Sequence, residues 1–317
     1  MVVMNWIKKR APANLRTRFN RSLYSRAQMA KRHLSGQGVE IGAMQYPLMP
    51  HRKMKVKYVD NTSLEDNLSR FSELRDRKLV RPDYIEDGFT LTSFASNSQD
   101  FVIANHVLEH SPNPLRALAN WARVLRAGGS LLLTVPVAEA CFDRGRHETT
   151  LEHLRGDYFA DSQLLSQRNF EHYMEWLAIS EPAIHALNGK NPVMESESQR
   201  RERAREMCRN NVEIHFHTFS ASSFHRFLEL FCTEFDKRFD VAEVCDIGRE
   251  VITVITRVRE EPSDFGSVHQ QVMTRHSDGP RLVHALKQSR VTEYGIPGRE
   301  EGMGTAAGGG AAEKSGG

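Results

Sequence analysis

The sequence has no apolar stretch long enough to cross a membrane and no secretory signal with an uninterrupted apolar core. Its four cysteines show neither CxxC pairing nor the ligand spacing of a zinc site, so free thiols in a reducing cytoplasm are the simplest interpretation. Apolar residues make up 39% and charged residues 26% of the 317 residues. Together these features favour a cytoplasmic globular protein, whose length suits one α/β domain with an insertion or two small domains.

Acidic residues are absent from residues 1–35, which carry nine Lys and Arg residues. With apolar residues such as Trp6, Phe19 and Leu23 among them, this basic leader could make a peripheral contact with an anionic membrane. A mitochondrial transit peptide and a helix packed on the domain are the alternatives. No nucleic-acid partner is expected, and the oligomeric state is left open.

A βαβ unit in the middle of the chain is the clearest pattern. Residues 100–104, apolar from Phe101 onwards, and the apolar run 131–135 are typical of strands that are buried on both faces. Between them, Asn113 occupies an N-cap position and Pro114 the first helical turn, followed by apolar residues at helical spacing. The glycine pair at 128–129 is predicted to end this helix.

Further strand patterns at 38–41, 55–60 and 84–88 alternate with helical segments. Apolar residues at 241–247 and 251–258, on either side of a turn, indicate an antiparallel hairpin. The predicted fold is therefore α/β, a doubly wound Rossmann-like sheet that is mostly parallel with a C-terminal antiparallel hairpin, plus a helical insertion.

The predicted organisation places a core at residues 36–140 after the leader and completes its sheet with residues 215–260. Residues 141–214 interrupt the strand rhythm and are predicted to be a helical insertion or substrate lid. Residues 261–317 are predicted to be a polar, largely disordered tail. Helices outside the βαβ unit are predicted at residues 63–79, 151–159, 170–179, 196–210 and 218–231.

Acidic residues recur at the ends of three successive predicted strands, namely Glu40, Asp60 and Asp87. Because the carboxyl ends of parallel strands form the ligand site of such sheets, this placement predicts a shared site. A carboxylate at the end of the second strand, about 20 residues after a glycine turn, can accept hydrogen bonds from both ribose hydroxyls of a nucleotide-like ligand.

The glycine turn after the first strand decides between cofactors. A dinucleotide site requires G-x-G-x-x-G, but here the comparable positions hold Gly42, Met44 and Pro47. The proline removes a backbone donor and disfavours a helix, which makes a poor phosphate site. S-adenosylmethionine has no phosphate, and Gly42 alone lets the backbone pass close to such a ligand.

Three stretches resemble the class I S-adenosylmethionine-dependent methyltransferases, specifically the methyltransferase type 11 group: Val39 to Ala43, Tyr58 to Asp60, and Asp100 to Pro136. The motif from Asn105 to His110 is the most specific of their features. The resemblance implies an S-adenosylmethionine cofactor and a methyltransferase activity.

The resemblance also implies where the cofactor lies. Its methionine part would face Glu40 and the backbone around Gly42 and Ala43, and Asp60 would hold the ribose diol. The second glycine of the family turn is replaced by Met44, a flexible side chain that can pack beside a ligand.

The adenine side of the implied site falls on the next two strand ends. Asp87 and Gly88 would contact the adenine, and Asn105 with His106 would line the cofactor at the end of the fourth strand. These positions complete the predicted cofactor site.

Histidines supply the catalytic candidates, since imidazole is the natural base near neutral pH. His215 and His217 alternate by two and would share one face of a strand. They are predicted to converge with Asp143, His147 and His153 in a pocket roofed by the insertion. The same groups could ligate a metal or be structural histidines, and no metal site is assigned.

The sequence thus predicts a methyltransferase that transfers a methyl group to an O or N acceptor on a small molecule or sugar-containing metabolite. Arg144 and Arg146 are candidates for binding an anionic substrate. A catalytically inactive methyltransferase-like binding scaffold is one alternative, and a nucleotide-cofactor oxidoreductase is the other.

Overall fold

The chain is built around one seven-stranded sheet. The computed structural model describes residues 23, 25–70, 79–192 and 195–258. The strands are β1 (Gly36–Ile41), β2 (Met54–Asp60), β3 (Tyr84–Ile85), β4 (Gln99–Asn105), β5 (Leu125–Pro136), β6 (Phe239–Asp246) and β7 (Glu250–Arg257). The helices within the described residues are α1 (25–33), α2 (Leu64–Arg70), α3 (Pro114–Val124), α4 (Leu151–Phe159), α5 (Ser162–Ala178), α6 (Ser180–Leu187), α7 (Glu197–Arg209) and α8 (Ala221–Leu230).

The strand order in the sheet is β3-β2-β1-β4-β5-β7-β6. Neighbouring strands from β3 to β5 are parallel, whereas β7 runs antiparallel to both β5 and β6. This arrangement confirms the predicted doubly wound sheet with a C-terminal hairpin. The strand order reverses between β1 and β4, which is where sheets of this kind bind ligands.

Both faces of the sheet are covered, as the continuous apolar runs predicted. On β4, Val102 belongs to one hydrophobic cluster and Phe101 to the other, because successive side chains of a strand point to opposite faces. Trp121 of α3 and Phe227 of α8 pack in the first cluster, and Met29 of α1 packs in the second.

Helix α1 covers the second face of the sheet. Met29 and Ala30 are buried there, while Arg32 donates to Glu243 of β6 through Nε and Nη2. Residues 25–33 of the predicted leader are therefore a helix packed on the sheet. Residues 1–22 and 24 of that leader lie outside the described residues.

The insertion has a hydrophobic cluster of its own, formed by Tyr173, Leu177, Ala204, Ile214 and Phe216. It leaves the sheet after β5 and returns to the same place. An isolated parallel bridge joins Val137 to Phe219, and the Ala138 N–H donates to the Phe219 carbonyl at 2.9 Å. The insertion is thus anchored where it begins and ends.

Some element boundaries differ from their predictions. Helix α3 ends at Val124 and not at the glycine pair, because Leu125 already pairs with Gln99 as part of β5. Helix α5 begins at Ser162, eight residues before the predicted start at 170, because Asp161 accepts a hydrogen bond from the Leu164 N–H at 2.8 Å and caps it. The periodicity of apolar residues does not reveal the strand pairing or the N-cap that sets these two helix ends.

The N-cap of α3 is confirmed, since Asn113 accepts from the Arg116 N–H at 3.1 Å. The helix predicted over 63–79 is described only as α2, because residues 71–78 lie outside the described part of the chain, as does the predicted tail from 261 onwards.

Candidate functional site

The carboxyl ends of β1, β2 and β4 lie side by side at the point where the strand order reverses. Ile41 pairs with Val59 on one side and with Ala104 on the other. Gly42 follows with a φ of 64°, a left-handed conformation that favours glycine, and its N–H donates to the Val59 carbonyl at 2.9 Å. A Cβ at Gly42 would lie 3.3 Å from Val107 Cγ2, so the turn is closely packed.

Glu40 is buried at the end of β1. Its carboxylate oxygens accept the Leu48 N–H at 2.9 and 3.1 Å, and the Asn105 amide lies 3.4 Å from Oε1. Burial raises the pKa of Glu40 to about 7, because those two hydrogen bonds offset only part of the desolvation. Glu40 therefore titrates near neutral pH and links the β1 turn to β4.

Asp60 is the last residue of β2 and lies at the same edge of the sheet, formed by the carboxyl ends of the parallel strands. Its Oδ1 accepts from the Thr62 N–H at 3.2 Å and from the Thr62 hydroxyl at 3.3 Å. Burial raises the pKa of Asp60, and the negative charge of Glu213, in the insertion, adds to that rise. A segment of the insertion thus approaches the predicted ribose carboxylate.

Asp87 and Gly88 form a turn after β3. The Asp87 carboxylate accepts the Phe89 N–H at 2.9 Å and is exposed. The Gly88 carbonyl accepts from the Trp121 indole at 2.7 Å, and a Cβ at Gly88 would lie 2.4 Å from Ile41 Cγ2. Glycine is required here because the turn packs directly on β1.

Asn105 and His106 end β4 in different environments. The side-chain oxygen Oδ1 of Asn105 accepts a hydrogen bond from the Thr134 hydroxyl at 2.7 Å. The side-chain amide nitrogen of Asn105 is therefore held toward Glu40. His106 has a φ of 55°, and its ring lies between Glu250 (2.7 Å) and Glu109 (3.3 Å). Burial alone would lower the pKa of His106, but the two carboxylates outweigh it and raise the pKa.

The Asp143–His215 pair is the first of two histidine clusters in the insertion. Oδ2 of Asp143 lies 2.6 Å from Nδ1 of His215, and both side chains are buried. Burial alone would raise the pKa of Asp143, but the hydrogen bond from His215, the His215 charge and the Arg146 guanidinium hold it well below its usual range. On the other side of the ring, Nε2 of His215 lies 3.9 Å from Oε1 of Glu109.

His217 belongs to the second cluster, with His153 and Asp157 of α4 and His172 of α5. The prediction that His215 and His217 converge in one pocket is therefore wrong. Residues 212–218 form no strand, and each histidine turns to a different group of partners. Period-two spacing places side chains on one face only when a strand forms.

His147 and the two arginines also differ from prediction. The His147 side chain is 98% exposed and contributes to neither cluster. Arg146 is buried and donates to Asp143, to Glu175 and to the carbonyls of His215 and Phe216, so it holds the insertion together. Arg144 is exposed and donates to the Glu139 carbonyl at 2.9 Å.

Several residues of the site escaped the sequence analysis. Glu109 is fully buried between His106 and His215, and Glu250 of β7 pairs with Arg26 of α1 across 224 positions of sequence. Partners as distant in sequence as Arg26 and Glu250 leave no local signal. The four-residue spacing of His153 and Asp157, by contrast, places both on one helix face and was available as a signal.

Residues 38–133 match the family model described as "Methyltransferase domain". The match covers β1 through β5 and includes the strand ends that carry Glu40, Asp60 and Asn105. Over this range the chain is similar to that domain family. S-adenosylmethionine is the cofactor of this family. No curated protein matches the chain.

Solved structures with similar chains include three S-adenosylmethionine-related methyltransferases. One from Aquifex aeolicus is 10% identical, with 74% of this chain and 89% of that chain covered at a TM-score of 0.36. One from Thermotoga maritima, described as a possible histamine N-methyltransferase, is 15% identical with the same coverages and a TM-score of 0.37. The methyltransferase CalH, in complex with S-adenosylhomocysteine, is 13% identical, with 80% and 62% covered at a TM-score of 0.38.

The residues of the methyltransferase domain fit this cofactor. The β1 turn provides one left-handed glycine and no run of helical N–H donors, which suits a ligand without phosphate. The half-buried Asp60 carboxylate at the end of β2 suits a ribose diol, and the turn at Asp87 and Gly88 lies beside it through the pairing of β2 with β3. The individual contacts of Glu40, Ala43, Asn105 and His106 with the cofactor stay predictions.

A cavity of about 400 Å³ opens in the insertion. Its lining includes hydroxyl and carboxylate groups, among them Thr149, Thr150, Glu171 and Glu175. Among the residues that the structure describes, none of the helices combines the length and the apolar character needed to cross a lipid bilayer.

Proposed function

We propose that this methyltransferase domain transfers the methyl group of S-adenosylmethionine to an oxygen or nitrogen of a small, polar molecule. The cofactor supplies an electrophilic methyl group, so the protein must position the acceptor and, where the acceptor carries a proton, remove it. The observation that carries the proposal is the Asp143–His215 pair beside the end of β4.

The pair has the geometry of a general base. Because the pKa of Asp143 lies well below its usual range, its carboxylate is charged and accepts the proton on Nδ1 of His215. This fixes the tautomer in which Nε2 has a free lone pair. The Glu109 carboxylate, 3.9 Å from Nε2, stabilises the positive charge that forms when His215 takes up a proton.

Hydroxyl and carboxylate side chains in the cavity of the insertion support a hydroxyl- or amine-bearing acceptor. Carboxylates and hydroxyls at this wall can pair with several hydroxyl or amino groups of one molecule. A sugar-containing metabolite or a polyamine-like molecule meets this description.

The test is a turnover assay on the purified full chain. The protein would be incubated with S-adenosylmethionine and with separate pools of small alcohols, sugars, phenols and amines, and formation of S-adenosylhomocysteine and of methylated product would be measured by mass spectrometry. With an accepted substrate, His215→Ala should lower kcat by about 10²- to 10⁴-fold, the usual contribution of a general base. Binding of S-adenosylhomocysteine should stay within about twofold.

His225→Ala is the matched control, because this imidazole is on α8 and 44% exposed. Binding of S-adenosylhomocysteine with no turnover on any pool would favour the catalytically inactive scaffold. Binding of NADH and not of S-adenosylhomocysteine would favour an oxidoreductase. A product methylated on carbon would contradict the proposed oxygen or nitrogen acceptor.

A further inference from the structure

Four metal-ligating side chains meet at one point inside the insertion: His153, Asp157, His172 and His217. Each offers one donor atom, and the four donor atoms all lie within 4.8 Å of one another. Nε2 of His153 lies 3.0 Å from Nε2 of His172 and 3.2 Å from Oδ2 of Asp157, which lies 3.7 Å from Nε2 of His217.

These separations match a tetrahedral metal site. Zinc bonds to nitrogen and oxygen of about 2.0–2.1 Å place neighbouring ligand atoms about 3.3 Å apart. Imidazole and carboxylate are ligands that first-row divalent metals prefer. We propose that His153, Asp157, His172 and His217 bind one divalent transition-metal ion, with Zn²⁺ as the expected ion.

The rings of His153 and His172 are hydrogen-bonded to each other, but other polar atoms of the cluster have no hydrogen-bond partner. The His217 side chain is fully buried, and neither of its ring nitrogens has a hydrogen-bond partner. The Pro112 backbone is near enough to favour a proton on the ring but does not meet hydrogen-bond geometry. Oδ2 of Asp157 is also buried without a hydrogen-bond partner. Buried polar atoms left in this way are costly unless another ligand satisfies them.

The surroundings orient the donors as in known metal sites. Arg168 donates to the other oxygen of Asp157 and to the His153 carbonyl, which leaves Oδ2 directed at the histidines. Hydrogen bonds of this kind to ligating carboxylates are common around protein metals. His153 and Asp157 are four residues apart on α4 and so share one face, the spacing used by helical metal motifs.

Charge in the cluster is compatible with a dication. Three neutral imidazoles and one carboxylate supply a single negative charge, and Arg168 opposes the ion. The carboxylates of Glu171 and Glu175 line the cavity next to His153 and His172, which restores negative potential on that side.

The proposed ion would join three separate parts of the insertion. The donors come from α4, from α5 and from the segment 212–218, whose Phe216 N–H donates to the Glu109 carbonyl at 2.8 Å. Metal binding would therefore stabilise the insertion against the end of β4. This role does not depend on the proposed methyl acceptor or on turnover.

The experiment uses the full chain without a polyhistidine tag. The protein would be stripped with a chelator, dialysed against metal-free buffer and titrated with Zn²⁺ and separately with Co²⁺. We expect one Zn²⁺ per chain by elemental analysis, visible absorption bands of tetrahedral Co²⁺, and a thermal midpoint several degrees higher with metal. A folded protein that retains no Zn²⁺ and shows no Co²⁺ bands would overturn the proposal.

Variants locate the ion. His217→Gln should weaken Zn²⁺ binding on the order of 100-fold, and Asp157→Asn, which keeps the side-chain shape, should do the same if the first variant does not fold. His147→Gln is the matched control, since His147 lines the same cavity but supplies none of the four donors. Loss of metal in His215→Gln with retention in His217→Gln would place the ion at the Asp143–His215 pair and refute the site proposed.

Discussion

At the scale of single residues, Glu40 combines burial with a position at the strand ends. Its folded-state pKa of about 7 is above the ordinary value of 4.5. A group of this kind contributes stability that is fully present below pH 4.5 and is lost as the pH rises through 7. The cause is desolvation, because charging the carboxyl group inside the protein costs free energy.

We therefore predict that Glu40→Gln changes the pH dependence of stability. Between pH 5 and pH 8, the free energy of unfolding of the unmodified protein should fall relative to that of the variant by about 2–3 kcal/mol, since each pKa unit corresponds to about 1.4 kcal/mol. Denaturant unfolding of both proteins across this range, without cofactor, measures the difference. Parallel pH curves for the two proteins would contradict the raised pKa.

Asp60 gives a prediction about the cofactor. Asp60→Ala should weaken binding of S-adenosylhomocysteine by about 1.5–3 kcal/mol, because it removes a charged acceptor for the ribose hydroxyls. Calorimetric titration measures the change. Asp240→Ala is the control, because Asp240 is exposed on β6 at the other edge of the sheet. Equal affinities for all three proteins would remove Asp60 from the cofactor site.

At the scale of elements, Asn113 serves both the core and the insertion. Its Oδ1 caps α3, and its Nδ2 donates to the Asp157 carbonyl of α4 at 2.7 Å. Asn113→Ala should therefore lower the free energy of unfolding by about 1–2 kcal/mol. This is more than the loss of an N-cap alone costs in many helices, because the hydrogen bond to Asp157 is lost as well.

Chemical denaturation of the variant and the unmodified protein checks this prediction. Asn191→Ala, in an exposed loop, should have no measurable effect. If the two alanine variants unfold at the same denaturant concentration, neither hydrogen bond of Asn113 contributes.

Elements with strong local signals could be predicted from the sequence. The N-cap at Asn113, the buried runs of β4 and β5 and the hairpin of β6 and β7 each depend on residues close together in the chain. The strand-end positions of Glu40, Asp60 and Asn105 followed from the parallel sheet.

The histidine clusters could not be predicted in the same way. His153 and His217 are brought together by the path of the insertion, which depends on packing among Tyr173, Ile214 and their neighbours and not on any local period. Glu109 was overlooked for a different reason, since a buried carboxylate in a short turn resembles an ordinary surface acid in sequence. Contacts over long sequence separations decide the first case.

At the scale of the whole molecule, a chain of buried charged groups joins the N-terminal helix to the insertion. Arg26 of α1 pairs with Glu250 of β7, which bonds to His106, and His106 lies against Glu109. The carboxylate of Glu109 in turn faces His215. The end of β4 is therefore held from both sides.

Removing Arg26 tests this arrangement. Arg26→Met should cost about 3–5 kcal/mol in the free energy of unfolding, because it leaves Glu250 buried with one cationic partner fewer. Adding Glu250→Gln should recover part of that loss. Lys31→Met, on the exposed side of α1, is the control and should change stability little.

The bridge between Val137 and Phe219 has a consequence for engineering. Since the backbone leaves and rejoins the sheet at two hydrogen-bonded neighbours, everything between them can be exchanged as a cassette with fixed junctions. A chimaera that carries another protein's loop or helices there would keep β5, β7 and the cofactor-side turns in register. On the function proposed above, acceptor preference could thus diversify by substitution of one contiguous stretch of gene.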